Sequence, residues 1–432
     1  MTGARRRLHL AVRLPDADAT GTPGRPGSRA GFASFERSAR TAERGLFDFV
    51  LLGGGPLPYG PGDGVHDDGD AVARPEPITL LSALAAVTDR LGLAATVYAG
   101  SAEPFTAARA LASLDHLSGG RAAWHVADPP GRSPGSGAGD DGAGTGARAE
   151  EFIRTARGLW DSWTPAGEAR RFSHSGPYFT TAGEFTLPRP PQGHPVIIRA
   201  ADRGEDPARA AGRADVLVTR YDPHDPPGAG RAGRTGAGRR PAAHGPAPGG
   251  IRVMPAVGVV LGSSDAEARE RAAEIRRREI SPEHAIAALE RIWGRDLSSY
   301  DPDGPLPGVD PAPDSALTRG SRVSAGDRLA VAARWRALSA EGGLSIRQTV
   351  AETTGRQSFI GTPGRVAEAM EEYVRGGAAD GFVLVPRPAG GGLDDFVARV
   401  VPLLQERGVF RTRYTGTTLR SHLGLAEPVW KG

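Results

Sequence analysis

Apolar residues along this chain alternate between two spacings. Short β-rich runs recur at Leu8–Leu14, Asp48–Leu52 (DFVLL), Leu93–Tyr98 (LAATVY) and Arg121–Ala127 (RAAWHVA). Four more follow at Pro195–Ala200 (PVIIRA), Val216–Thr219, Ile251–Leu261 and Gly381–Pro386 (GFVLVP). Between them the spacing becomes that of a helix. Phe35, Ala39 and Ala42 share one face over Phe35–Leu46, and Leu80, Leu84, Val87 and Leu91 form one stripe. Phe105, Ala108, Leu111 and Leu114 follow Pro104, a residue suited to a first helical turn. Ile153, Ala156, Trp160 and Trp163 mark a further helix. Asp265 to about Ile280 reads as a charged surface helix, and Leu393–Glu406 turns Phe396, Val400 and Leu403 inward. Eight strands separated by helices imply parallel βαβ units. Repeated right-handed crossovers close into an α/β (β/α)8 TIM barrel. A doubly wound open sheet is the rival that strand counting leaves standing. The 432 residues suit one barrel domain over 1–432 with insertions.

Three stretches break the pattern. Asp128–Ala147, Tyr221–Gly250 and Asp301–Ala316 are rich in Gly, Pro, Asp and Arg and show no apolar period. Their apolar content is too low to repay the entropy of ordering, so disordered surface loops are expected at 128–147, 221–250 and 301–316. The first follows the C-terminal end of a strand, where a lid over a barrel mouth would sit.

Charge and composition narrow the function. Lys plus Arg number 53 against 50 Asp plus Glu, too even a balance for a nucleic-acid footprint. With no Cys, thiolate nucleophiles, disulfides, iron–sulfur clusters and Cys-zinc sites are excluded. The ten His residues show neither HExxH nor HxH, so no metal is expected. The apolar run after Arg5-Arg6-Arg7 is short and broken by His9 and Arg13, unlike a secretory signal. No window is apolar enough to span a membrane, and a cytoplasmic protein is expected.

Few residues stand out by themselves. Gly53-Gly54-Gly55 follows a strand without dinucleotide or P-loop spacing. It reads as a tight βα turn, or as a close approach to a ligand. His116 lies in a helix beside Asp115 and reads as a capping or packing partner. His125 ends a barrel strand beside Trp124, where side chains point toward the mouth that carries barrel active sites. It titrates near neutrality when unperturbed. Both a functional group and a satisfied strand-end histidine fit that position.

Longer phrases carry a resemblance. AERGLFDFVLL (Ala42–Leu52), EPITLLSALAAVTDRLGLAATV (Glu76–Val97), ARALASLDHLSGGRAAWHV (Ala108–Val126) and LWDSW (Leu159–Trp163) occur in order. So do LPRPPQGHPVII (Leu187–Ile198), RDLSSYDPDGPLP (Arg295–Pro307), FIGTPGRVAEAM (Phe359–Met370) and the segment Gly391–Leu425. Together they resemble the nitrilotriacetate/dibenzothiophene-sulfone monooxygenase family of the luciferase-like flavin-dependent superfamily. The resemblance implies a luciferase-like barrel and a two-component monooxygenase. Reduced FMN would come from a separate NAD(P)H:flavin reductase, and O2 would oxygenate a small organic substrate. A deazaflavin is the alternative cofactor, and a homo-oligomer is expected.

The same resemblance places the site, with departures. Gly54 stands where relatives carry Asp after the second strand, and Ala99 lies in the run after the third. His125-Val126-Ala127-Asp128-Pro129 replaces Asn-Val-Val-Thr-Ser, and Ala147-Arg148 replaces an Arg-Tyr pair. Ala200–Asp206 matches the phosphate-binding segment, with Arg203 in place of its Ser and Asp206 in place of its last Gly. Gly54, Ala99, His125, Asp128 and Arg203 are therefore the expected cofactor contacts, with His125 the expected catalytic group. Acidic residues near the phosphate position favour a rival reading, a flavin-impaired homologue serving as a ligand-binding or partner subunit.

Overall fold

The computed structural model describes residues 7–14, 31–53, 75–99, 103–127, 143–200, 214–221, 250–312, 325–354, 357–386 and 392–430. Strands β1 (His9–Leu14), β2 (Phe49–Leu52), β3 (Gly92–Tyr98) and β4 (Ala122–Ala127) pair in parallel, each with the next. A short antiparallel hairpin, β5 (Arg171–Ser175) and β6 (Thr180–Glu184), stands apart from them. β7 (Val196–Ala200), β8 (Val216–Arg220) and β9 (Arg252–Leu261) continue the parallel sheet. β10 (Gln357–Gly361) lies beside the far half of β9, and β11 (Gly381–Leu384) pairs with both β9 and β1. The β8–β9 and β11–β1 pairings close eight parallel strands into a barrel. That closure rejects the open doubly wound sheet.

Strand alternation gives the barrel two apolar faces. Leu10, Val12, Leu14, Leu93, Ala95, Trp124 and Val126 belong to the large outer core shared with the helices. Ala11, Phe49, Leu51, Ala94, Ala123, Val196, Ile198 and Met254 fill the lumen. The surrounding helices begin with α1 (Phe32–Arg44), α2 (Pro77–Ala85), α3 (Pro104–Leu117) and α4 (Ala143–Asp161). Proline at the first turn suits α2 and α3, because its missing N–H would have no helical partner there.

A second layer lies between β9 and β10. It comprises α5 (Asp265–Glu279), α6 (Pro282–Trp293), α7 (Ala325–Gly342) and α8 (Ile346–Thr354). α6, α7 and α8 share their own core of Leu289, Trp293, Ala332, Trp335 and Val350. The barrel resumes through α9 (Pro363–Arg375), α10 (Gly392–Arg399), α11 (Val401–Glu406) and a short α12 (Leu419–His422).

α12 closes the N-terminal end of the barrel. Leu419 and Leu423 join the lumenal cluster, and Leu419 N donates to Gly120 O at 3.0 Å. Arg420 is buried and pairs with Asp215 at 3.0 Å, while Arg252 Nε donates to Leu423 O at 2.7 Å. The same end repeats one device. Asp48, Asp215 and Asp380 each accept the backbone N–H of a neighbouring strand, from Leu10, Ile197 and Val253, all at 2.9 Å. At the opposite end the strands finish, where barrel enzymes carry their sites.

Two loop expectations are corrected in part. Of 301–316, residues 301–312 are held by specific bonds: Ala312 N donates to Trp293 O at 2.8 Å, and Trp293 Nε1 to Val309 O at 2.8 Å. Arg336 adds contacts to the carbonyls of Pro307 and Val309. Backbone groups here are satisfied by α6 and α7 side chains, so the segment needs little apolar content of its own. Within 128–147, residues from Ala143 onward are already helical; residues 128–142, 222–249 and 313–324 lie outside those described. Tyr221 packs against Phe359 and Tyr373 at ring centroid distances of 5.1 and 5.2 Å. Among the described residues, no helix is long and apolar enough to cross a membrane.

Candidate active site

The strand ends opposite α12 carry Arg13, Thr96 and His125. Thr96 on β3 is in register with His125 on β4, which is in register with Ile198 on β7. Paired residues of a sheet share a face; Ile198 and Ala123 are lumenal, so Thr96 and His125 are too. Arg13 on β1 is in register with lumenal Leu51 and completes the group.

Thr96 is buried, and its hydroxyl donates to Leu52 O at 2.8 Å. The same oxygen lies 3.1 Å from His125 Nδ1. Burial, with the positive charges of Arg13 and Arg199 nearby, pushes the His125 imidazole down to about 4. The expectation of a group titrating near neutrality is thereby corrected: two guanidiniums and a dry setting disfavour imidazolium. The ring's partner is Thr96, and Asp128 lies outside the described residues.

The direction of this shift makes a prediction. An imidazole of pKa 6.5 in the unfolded chain binds a proton between pH 6.5 and about 4 that the folded state refuses. His125 therefore lowers stability as pH falls through that window. His125→Asn should flatten the dependence of the denaturation midpoint on pH between 6.5 and 4, relative to wild type. Parallel curves for the two proteins would contradict the assignment.

The other expected residues fall as follows. Ala99 is buried just past β3, and its N–H donates to Ala127 O at 2.9 Å, joining the ends of β3 and β4. Gly54, Asp128 and Arg203 lie outside the described residues, as does most of the phosphate segment after Ala200. His116 contacts Pro188 O at 3.2 Å, which fits a packing role. Its neighbour Asp115 is the notable group: buried, it accepts from Ala122 N at 3.0 Å and Gln192 Nε2 at 2.6 Å. Burial raises its carboxyl to about 6 against those bonds. Arg148 lies 4.9 Å from the centroid of the Phe179 ring. Among the described residues, no cluster of three or more His, Asp or Glu could hold a metal.

Arg13, Thr96 and Arg199 were not singled out in the sequence. Arg13 left a readable trace, since it interrupts an apolar strand on the face shared by His9 and Ala11. Thr96 left none, because threonine is an ordinary strand residue.

The lumenal mouth, the plugged opposite end and the helical layer after β9 can be set beside known proteins. The luciferase-like monooxygenase family matches residues 14–380. The chain belongs to that family. It is 36% identical over 418 residues to nitrilotriacetate monooxygenase component A of Aminobacter aminovorans, covering 90% of this chain and 89% of that one. It is 35% identical over 421 residues to N-acetyl-S-(2-succino)cysteine monooxygenase of Bacillus subtilis (strain 168), covering 91% and 90%. The structure of EDTA monooxygenase from Chelativorans sp. BNC1 superposes with a TM-score of 0.69 at 28% identity, covering 98% of this chain and 99% of that one. As a member of this family, the chain has the TIM barrel its strand pattern implied, and its barrel mouth is the candidate active site.

Proposed function

We propose that this protein is the oxygenating component of a two-component, FMNH2-dependent monooxygenase acting on a small organic substrate. One observation carries the reading. In a chain of this family, His125, bonded to Thr96, stands with Arg13 on the lumenal face at the strand ends opposite α12. Gly53 and Ala127, at strand ends on the lumenal face by alternation with Leu51 and Ala123, are small, which leaves room for a planar ring against the backbone. The rival reading of a flavin-impaired partner subunit is not favoured by the relatives, which are themselves monooxygenases.

Bound reduced FMN would supply two electrons to O2, so that one oxygen atom enters the substrate and the other leaves as water. The chain supplies the environment. Lumenal Ala94, Ala123 and Ile198 keep water from beneath the ligand. Gly54, Ala99, His125, Asp128 and Arg203 are proposed as cofactor contacts, with Arg203 at the phosphate. His125, neutral at working pH, orients a ligand through its ring nitrogen and does not act as a proton donor. The partner supplying FMNH2 would be an NAD(P)H:flavin reductase. A deazaflavin is the second cofactor to try, and assembly as a homo-oligomer is expected.

Anaerobic titration with reduced FMN tests the reading, with a deazaflavin titrated in parallel. Reduced FMN should bind more tightly than oxidised FMN, and a flavin reductase, NADH and O2 should then support substrate oxygenation. Arg203→Ala should weaken FMN binding by about 1.5–3 kcal/mol, the range for a hydrogen bond to a charged group. A protein that takes up neither flavin in either redox state would end the monooxygenase reading. An unchanged dissociation constant in Arg203→Ala would remove only the phosphate assignment.

A further inference from the structure

We propose that Thr96 is a positioning residue that locks His125 in the Nδ1–H tautomer, so that the barrel mouth presents Nε2 as a hydrogen-bond acceptor to an N–H or O–H donor of its ligand. The inference rests on reading the mouth as the flavin and substrate site, and it adds what that site recognises.

The proton count decides the tautomer. A threonine hydroxyl has one proton to give. The Leu52 carbonyl can only accept, and it lies 2.8 Å from Thr96 Oγ1, the shorter of the two contacts that oxygen makes. Thr96 therefore spends its proton on Leu52 O. Its lone pair faces His125 Nδ1 at 3.1 Å, so that nitrogen must carry the hydrogen. In a neutral ring, Nε2 is then a lone-pair site. The groups around the ring keep it neutral: Arg13 from β1 and Arg199 from β7 are both cationic, and Thr96 from β3 is uncharged. Among the described residues no other hydrogen bond reaches the ring, which leaves Nε2 for a ligand.

The relay also has a mechanical side. Leu52 ends β2, Thr96 lies on β3 and His125 on β4, so one chain of bonds ties three adjacent strand ends at the mouth. The imidazole is held by the barrel wall itself, independent of the segments that follow the strands. A ligand group that only accepts hydrogen bonds gains nothing at Nε2. A flavin N–H, or an amide, amine or hydroxyl of the substrate, does.

The test begins without any ligand. Protein labelled with 15N-histidine is recorded from pH 7 to 5, and His125 is assigned by its loss in His125→Asn. The ring-nitrogen shifts should show a neutral ring protonated at Nδ1. Thr96→Ser, which keeps the hydroxyl, should preserve that signature, and Thr96→Val should move the population toward Nε2–H. A wild-type ring protonated at Nε2, a charged ring at pH 7, or a Thr96→Val spectrum identical to wild type would overturn the lock. None of these outcomes depends on flavin binding, so failure of the flavoprotein reading would be seen separately in the FMN titration.

The second arm locates the donor. If it is on the flavin, Thr96→Val should weaken reduced-FMN binding by up to about tenfold, the worth of one neutral hydrogen bond, and Thr96→Ser should not. If it is on the substrate, flavin affinity stays constant and the loss appears as a raised KM, restored by Thr96→Ser. A Thr96→Val protein that matches wild type in both would overturn the recognition role.

Discussion

Asp48→Leu should destabilise the protein by about 3–5 kcal/mol, the usual result of stranding one member of a buried ion pair. Asp48 is fully buried at the foot of β2, and each of its contacts is a donor. Oδ2 accepts from Leu10 N at 2.9 Å; Oδ1 faces His9 Nδ1 at 3.1 Å and the Arg411 guanidinium. Arg411 is itself buried against Phe410 and Tyr414, so it could not recover its hydration after the substitution. Asp48→Asn should also be costly, because its amide nitrogen would have to face a donor.

Burial alone would raise the Asp48 carboxyl, yet Arg411 and His9 together hold it at about 2. The sign follows from the unfolded value of 3.8. The contribution is complete above pH 3.8 and is lost as pH falls toward 2. Chemical denaturation at pH 7 of Asp48→Leu, Arg411→Met and the double variant measures the coupling. The double variant should lose clearly less than the sum of the two singles, since apolar replacement of both partners leaves no stranded charge. Single variants within 1 kcal/mol of wild type would show that the pair holds nothing.

Arg121→Leu is expected to cost about 3–5 kcal/mol for a different reason: it orphans acceptors, each costing about 1–3 kcal/mol before relaxation. Arg121 is buried immediately before β4 with no carboxylate bonded to it. Its Nε donates to Ser118 O at 2.7 Å, Nη1 to Thr88 Oγ1 and Leu91 O at 2.9 and 2.8 Å, and Nη2 to Ala85 O and Thr88 O at 3.1 and 2.8 Å. These carbonyls belong to the end of α3 and to the connection from α2 to β3. One planar fork thus sets β4 against β3, the two strands that carry His125 and Thr96. Arg121→Lys keeps the charge but not the fork, so it should recover only part of the loss. The denaturant midpoint reports the energy. Equal midpoints for the Lys variant and wild type would mean that charge alone, and not the geometry of five donors, holds this corner.

Much of the barrel was legible because its cause is local. Leu10, Val12 and Leu14 alternate with Ala11 and Arg13 whatever they pack against, and a strand's period of two fixes which side chains share a face. The stripe Leu80, Leu84, Val87, Leu91 likewise announces a buried helical face, although the regular α2 stops at Ala85. His125 was found by position, at the end of a strand. The hairpin β5–β6 was not found, since RFSHS and TTAGE are mostly polar and exposed; β5 is anchored by Glu151 of α4 bonding His174 at 3.0 Å. Nor was the order in 301–312, where the backbone is satisfied by Trp293 and Arg336 from distant helices.

The sequence by itself determined the family and the eight barrel strands, and it put His125 at a strand end, because those follow from residue order and short periods. It could not determine the state of His125. An isolated histidine titrates near neutrality; this one is neutral well below that, with Nδ1 committed to Thr96. Thr96 lies 29 residues away in the chain, and Arg13 and Arg199 are brought near only when β1 and β7 close the barrel around the ring. Which proton a side chain carries depends on the charges and dipoles within a few ångströms of it, and in this protein those come from strands that meet only in the tertiary structure.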